Sequence, residues 1–357
     1  VVNLSAERYP ALDALRGFAA LTIVLYHFQT NSPLTANAFV AQGALMVDFF
    51  FVLSGFVISL NYCDRIRSAR DLWWFQKKRF WRLYPLHLVT FLAFVGIETF
   101  QFYRGQTTAF VTNDLEAALH NLFLTQAVLT NHTSFNMPSW SISAEFWTYL
   151  IFGIALLFGR YRWPLLIACW LIAGTVIYLQ STSVLAPNVA GILLGRALYG
   201  FAIGVLVHQI QSRQKRREFG SLTLLFFMGM AVWLIAHFTI HLLLVTPLIF
   251  AAVVYTVAWS GPKTWVQRFL ISPVPAFLGR ISYSIYMTHA ILTFWFFYFV
   301  LEHPPFSPSE STLVTSLLIA CVIGLSTLTY RFIEQPFKAG LDIRAAGTQT
   351  LPPRLAE

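Results

Sequence analysis

The reading of the chain turns on Asp13-Ala-Leu-Arg16-Gly17-Phe-Ala-Ala-Leu-Thr-Ile-Val-Leu-Tyr-His27. An arginine enters at one end of a membrane-length apolar helix and a histidine sits near the other. The two are eleven residues apart. That is ~1100° of helix, three turns plus ~20°, so both side chains fall on one face, ~16 Å apart along the axis. Ionisable groups inside a membrane are costly and mark candidate functional sites. The plainer reading is an interfacial arginine that snorkels, with an unrelated histidine further on.

The rest of the composition places this helix in a bilayer. Hydrophobic residues make up 57% of the 357 residues and charged residues 11%, against about 25% charged in soluble domains. Ten stretches approach spanning length, at about 12–30, 43–61, 83–100, 140–158, 163–180, 189–209, 221–237, 240–259, 277–300 and 312–332. The expected fold is an all-α, polytopic integral membrane bundle of about ten helices. It forms one domain over 1–337, followed by a short polar tail at 338–357. The first stretch carries Asp13 and Arg16 and has no small-residue cleavage site, so it is expected to stay as an uncleaved anchor.

The net charge of +9 does not point to nucleic acid, because the basic residues form no single patch. They alternate with the spans instead. Arg65, Arg67, Arg70, Lys77, Lys78, Arg79 and Arg82 lie between the second and third spans, and Arg213, Lys215, Arg216 and Arg217 between the sixth and seventh. With the N-terminus inside, Arg104 falls in an outer loop and Arg196 deep within a span, and the other basic residues are inside or at an inner helix end. Positive charge gathers on cytoplasmic loops, so both termini are expected in the cytoplasm of a bacterial inner-membrane protein. The longest outer loop, about 101–139, contains an apolar segment, Asp114–Leu129, able to lie on or dip into the outer face.

Five further motifs follow the first. They are Asp48-Phe-Phe-Phe-Val-Leu-Ser54-Gly55-Phe56, Arg79-Phe-Trp-Arg82-Leu-Tyr84-Pro85, Trp140-Ser141-Ile-Ser143-Ala-Glu145-Phe146-Trp147, Gly279-Arg-Ile-Ser282-Tyr283-Ser284-Ile-Tyr286-Met-Thr-His289 and Ile333-Glu334-Gln-Pro336-Phe337. In this order the six closely resemble the acyltransferase-3 family of membrane acyltransferases, from about residue 10 to 337. The resemblance implies transfer of an acyl group, usually acetyl, from cytosolic acyl-coenzyme A to a hydroxyl of a surface or exported glycan. It also implies roles for Arg16, His27, Arg79 and Arg82. Gln335 stands where the family often has Arg, and Met287 where it often has Leu.

The residues carry an argument of their own. Arg79 and Arg82 share a helix face at i and i+3, and two guanidiniums at the inner mouth suit a phosphate or pyrophosphate. The alternative is plain positive-inside arginine. His27 could act as general base on a sugar hydroxyl. Glu145, read at a similar depth to His27, would orient that imidazole; the alternative is a helix N-terminal acid favoured by the macrodipole. Ser54, Tyr286 and His289 are candidate donor or acceptor contacts, with His289 alternatively a hydrogen-bonded tie between helices. Ser54-Gly55 permits close helix approach, and Ser54 as nucleophile lacks an assignable base. Asp13, Asp48, Arg196 and Glu334 are expected to pair or orient: Asp48 with His27 or Arg196, Glu334 with Arg331 or Arg16.

Cys63, Cys169 and Cys321 show no metal-like spacing, nor do His120, His132, His237 and His241. The expectation is no metal and no permanently bound cofactor, with acyl-coenzyme A as co-substrate. The expected partners are the lipid bilayer and a glycan or lipid-linked sugar acceptor. Two other functions fit intramembrane charge: an acyltransferase acting on a small intracellular molecule, and a transporter or flippase. The paired halves and corresponding broken spans common in such transporters are not evident.

Overall fold

The computed structural model describes residues 9–28, 30, 32–107, 109–130, 133–181, 191–214, 218–261, 264–300 and 306–337. The expected tail at 338–357, His132 and the basic residues 215–217 lie outside them. Each of the ten apolar stretches forms a helix. In chain order these are α1 (Pro10–His27), α2 (Met46–Tyr62), α3 (Ala69–Tyr103), α4 (Trp140–Leu157), α5 (Arg162–Ser181), α6 (Ile192–Arg213), α7 (Ser221–Ala236), α8 (Thr246–Ala258), α9 (Pro273–Val300) and α10 (Pro308–Thr329). No strand forms among the described residues. The only pairing of that kind is an isolated bridge between Phe219 and Ser260.

Six helical segments, those of α2 to α6 and α10, have both the length and the apolarity to cross a membrane. α1 and α9 are 18 and 28 residues long but carry the ionisable groups singled out above. α7 and α8 are apolar and short, at 16 and 13 residues. Thirteen residues span only ~20 Å, less than the ~30 Å hydrocarbon core. α3 is the opposite case: its 35 residues reach ~52 Å, longer than the hydrocarbon core. Trp73 and Trp74 are exposed on its first turns, and Lys77 lies over the Trp74 ring. Aromatic and basic residues together mark a membrane–water interface.

Local sequence sets the helix ends. Pro10 opens α1 in the first turn, where its missing N–H costs nothing. The Ser68 hydroxyl caps α3 by accepting from the Asp71 N–H. Ser307 and Glu310 form a reciprocal capping box at α10.

Two helix pairs bring their backbones together, α1 with α9 and α2 with α6. Glycine permits both. A Cβ on Gly279 would stand 2.4 Å from the Asp13 carbonyl oxygen, and one on Gly17 2.6 Å from the Leu278 carbonyl carbon. Across the other pair, a Cβ on Gly55 would meet the Phe201 oxygen at 2.0 Å, and one on Gly204 the Val52 oxygen at 1.9 Å. Gly200 and Gly204 make a small-xxx-small face on α6, the usual means of close approach in membranes.

The outer segment between α3 and α4 enters the bundle rather than resting on it. Asn121 and Asn136 are fully buried. Asn136 donates to the Met287 carbonyl at 3.0 Å and to Thr90 at 3.0 Å. The Leu124 carbonyl accepts from Ser143 at 2.6 Å and from the Trp147 indole at 2.7 Å. α4 therefore begins inside the bundle, which decides where Glu145 lies.

Candidate active site

A cavity of about 460 Å³ runs between α1, α2, α3, α4 and α9. Four arginines, Arg16, Arg79, Arg82 and Arg280, are among the residues that line it. Arg16 is tied to Asp13 at 3.5 Å within its own helix. Arg79 donates to the Tyr62 hydroxyl at 3.2 Å and lies against the Tyr62, Phe75 and Tyr149 rings. Its Nε is buried with no hydrogen-bond partner. Neither Arg79 nor Arg82 forms an ion pair among the described residues. Glu145 acts on Arg79 and Glu334 on Arg82 only at longer range, which leaves N–H donors that an anionic ligand could take.

Above the arginines, Ser54 donates to the Glu145 carboxylate at 2.6 Å. The Tyr149 hydroxyl donates to the same oxygen and lies 2.7 Å from Ser54 Oγ. This corrects the expected place of Glu145. It does not sit beside His27; it faces Ser54 and Tyr149 in the arginine-lined cavity. The cause is the buried start of α4. Counting depth from Trp140 as an outer-surface residue puts Glu145 too high, because Trp140 already packs on Phe51 within the bundle. Ser54 therefore does have a carboxylate beside it.

Phe50 and Tyr286 also line the cavity, and their rings meet edge to face at 5.8 Å. The Tyr286 hydroxyl is 2.8 Å from Ser141 Oγ and donates to the Pro138 carbonyl at 2.8 Å. One turn further along α9 lies His289, fully buried, its ring 6.0 Å from Tyr286. His289 Nε2 is 3.1 Å from His27 Nδ1. The two histidines thus meet across the α1–α9 contact, and neither is among the residues that line the cavity.

The remaining candidates divide. Asp48 is buried and takes Arg196 in a two-pronged pair, Nη2 to Oδ2 at 2.8 Å and Nε to Oδ1 at 3.3 Å. Of the two partners expected for Asp48, the structure takes Arg196 and not His27. Arg196 also lies over the Trp140 ring at 5.4 Å. Glu334 is buried and accepts from Ser284 at 3.1 Å. The expected ion pair with Arg331 or Arg16 does not form, because a π-turn at Tyr330–Glu334 carries Glu334 inward towards α9.

Sequence reasoning passed over Arg280, Tyr62 and Tyr149. Arg280 stands inside one of the six motifs, directly after Gly279. Tyr149 is four residues after Glu145 on the same helix face, a spacing that signals contact.

The family model described as "Acyltransferase domain" matches residues 9–331. The chain is 36% identical over 157 residues to the acyltransferase MdmB of Streptomyces mycarofaciens, covering 41% of this chain and 39% of that protein. It is 26% identical over 368 residues to a candidate O-acetyltransferase of Staphylococcus aureus strain COL, covering 92% of this chain and 57% of that one. A candidate acetyltransferase of Acidianus two-tailed virus is 26% identical over 292 residues, 79% of this chain and 83% of the viral protein. The chain thus spans little more than half, or less, of the first two relatives. No solved structure matches it.

Proposed function

This chain belongs to the acyltransferase-3 family, and on that premise we propose that it moves an acyl group, acetyl in the first instance, from acyl-coenzyme A to a hydroxyl of a surface or exported glycan. The observation that carries the reading is the cavity lined by four arginines, with Arg79 Nε buried and unpartnered. The donor's phosphates occupy the arginine end. Its pantetheine arm extends past Ser54 and on beyond Phe50 and Tyr286 towards His27. The ~16 Å between Arg16 and His27 is of the order an extended pantetheine covers.

At the far end His27 is the general base. Its Nε2 takes the proton of the acceptor hydroxyl as that oxygen attacks the thioester carbonyl. The carbon–sulfur bond breaks, and the same proton passes to the departing coenzyme A sulfur. Glu145, held by Ser54 and Tyr149, serves the donor side by orienting Arg79 and the arm beneath it. The distribution of Lys and Arg supports a donor entering from the cytosolic face of a bacterial inner membrane.

Two measurements test this. Purified protein incubated with labelled acetyl-coenzyme A and candidate glycans is expected to yield glycan heavier by one acetyl group per site. Arg79→Ala and Arg82→Ala are each expected to weaken donor binding by roughly 1.5–3 kcal/mol, the worth of one charge-assisted contact. Lysine restores only part, since it lacks the bidentate fork. Unchanged donor affinity in both alanine variants returns these arginines to plain topology signals.

A further inference from the structure

The two histidines carry more than their proximity. His289 Nδ1 lies 3.2 Å from the Ile285 carbonyl oxygen, which can only accept, so this nitrogen bears the proton. In a neutral ring the other nitrogen, Nε2, then carries a lone pair. It faces His27 Nδ1 at 3.1 Å, so His27 Nδ1 is the protonated one, and it also points at the Ile23 carbonyl at 3.0 Å. With both rings neutral, this set of tautomers makes all three contacts hydrogen bonds, one between the rings and two to backbone carbonyls. It leaves the lone pair of His27 on Nε2.

We infer that His289 is a positioning residue for His27: it accepts the Nδ1 proton, fixes the tautomer that bares Nε2, and shares the charge when His27 takes up a proton. The inference rests on His27 being the base proposed above. Among the described residues neither ring forms an ion pair with a carboxylate, so a second imidazole takes the place a carboxylate holds in serine-type triads. During transfer the acceptor's proton arrives at His27 Nε2 while the Nδ1 proton stays in the bond to His289. When the carbon–sulfur bond breaks, the Nε2 proton leaves on sulfur and both rings return to their starting state. A neutral partner suits this depth, since it adds no permanent charge to the bilayer interior. The close α1–α9 approach at Gly17 and Gly279 brings the two helices together along this face.

The test compares two substitutions of similar length. His289→Gln keeps an oxygen that can accept the Nδ1 proton; His289→Met does not. We expect His289→Met to lower kcat roughly ten- to a hundredfold, part of the ~10²–10⁴ that a general base supplies, with KM for acetyl-coenzyme A unchanged. His289→Gln stays closer to the parent protein. Donor binding by each variant reports that it has folded. In a His27→Ala background, His289→Met costs nothing more, because groups that act as one unit are not additive. Equal rates for the Gln and Met variants, or a further loss in the double variant, overturn the inference while leaving His27 in place. Full activity of His27→Ala overturns the underlying reading instead.

Discussion

Asp48 and Arg196 are two charges inside a bundle whose surroundings cannot solvate them. Asp48 is 1% exposed, and its carboxylate is satisfied by the two-pronged bond from Arg196. Removing one partner of a buried pair strands the other and costs about 3–5 kcal/mol, whereas replacing both by apolar residues of similar size is often neutral. Asp48→Ala is therefore expected to lower the thermal midpoint sharply in detergent, and Asp48→Leu with Arg196→Met to recover most of it. A double variant as unstable as the single one would show that the pair does more than neutralise itself. Arg79 and Arg82 stand in contrast. They have no such partner among the described residues, and that is the reason they are assigned to an anionic ligand and Arg196 is not.

At the scale of helices, α2 and α6 come closest where glycine lets their backbones meet. A side chain at Gly204 must displace the Val52 carbonyl, 1.9 Å from an added Cβ. Gly204→Val is expected to destabilise the protein by at least the ~1–3 kcal/mol typical of overpacking. At Gly324 on α10 an added Cβ meets nothing within 4 Å. Gly324→Ala is expected to be neutral or to gain up to about 1 kcal/mol from helix propensity. Thermal melts of the two variants check both statements, and equal melting points would remove the close contact from the account.

That α2 admits a close neighbour was legible in the sequence, since Ser54-Gly55 lies in an apolar helix and small residues there signal approach; that the neighbour is α6 was not. The helical bundle was legible too, because apolar length is a local property, though six of the segments have both the length and the apolarity to cross a membrane. The depth of Glu145 was not legible. It depends on the segment before α4 folding into the bundle, through bonds such as Asn136 to Met287, 151 residues apart. The pairing of His27 with His289 across 262 residues was hidden for the same reason: helix periodicity gives a face, and only packing gives the face opposite.

The whole molecule is a helical bundle that holds an arginine-lined cavity and, apart from it, a histidine pair. In the proposed reaction an acyl group enters on coenzyme A from the side where Lys and Arg concentrate and leaves on a hydroxyl at the opposite side. The most direct measurement uses sealed vesicles holding the protein in one orientation, with labelled acetyl-coenzyme A enclosed on the basic side and the glycan acceptor outside. The account predicts labelled acetyl on the outer glycan with the parent protein. With His27→Ala it predicts a fall of at least about 10²-fold, while donor binding survives. Acetylation only when donor and acceptor share one side, or transfer by His27→Ala at the parent rate, would contradict it.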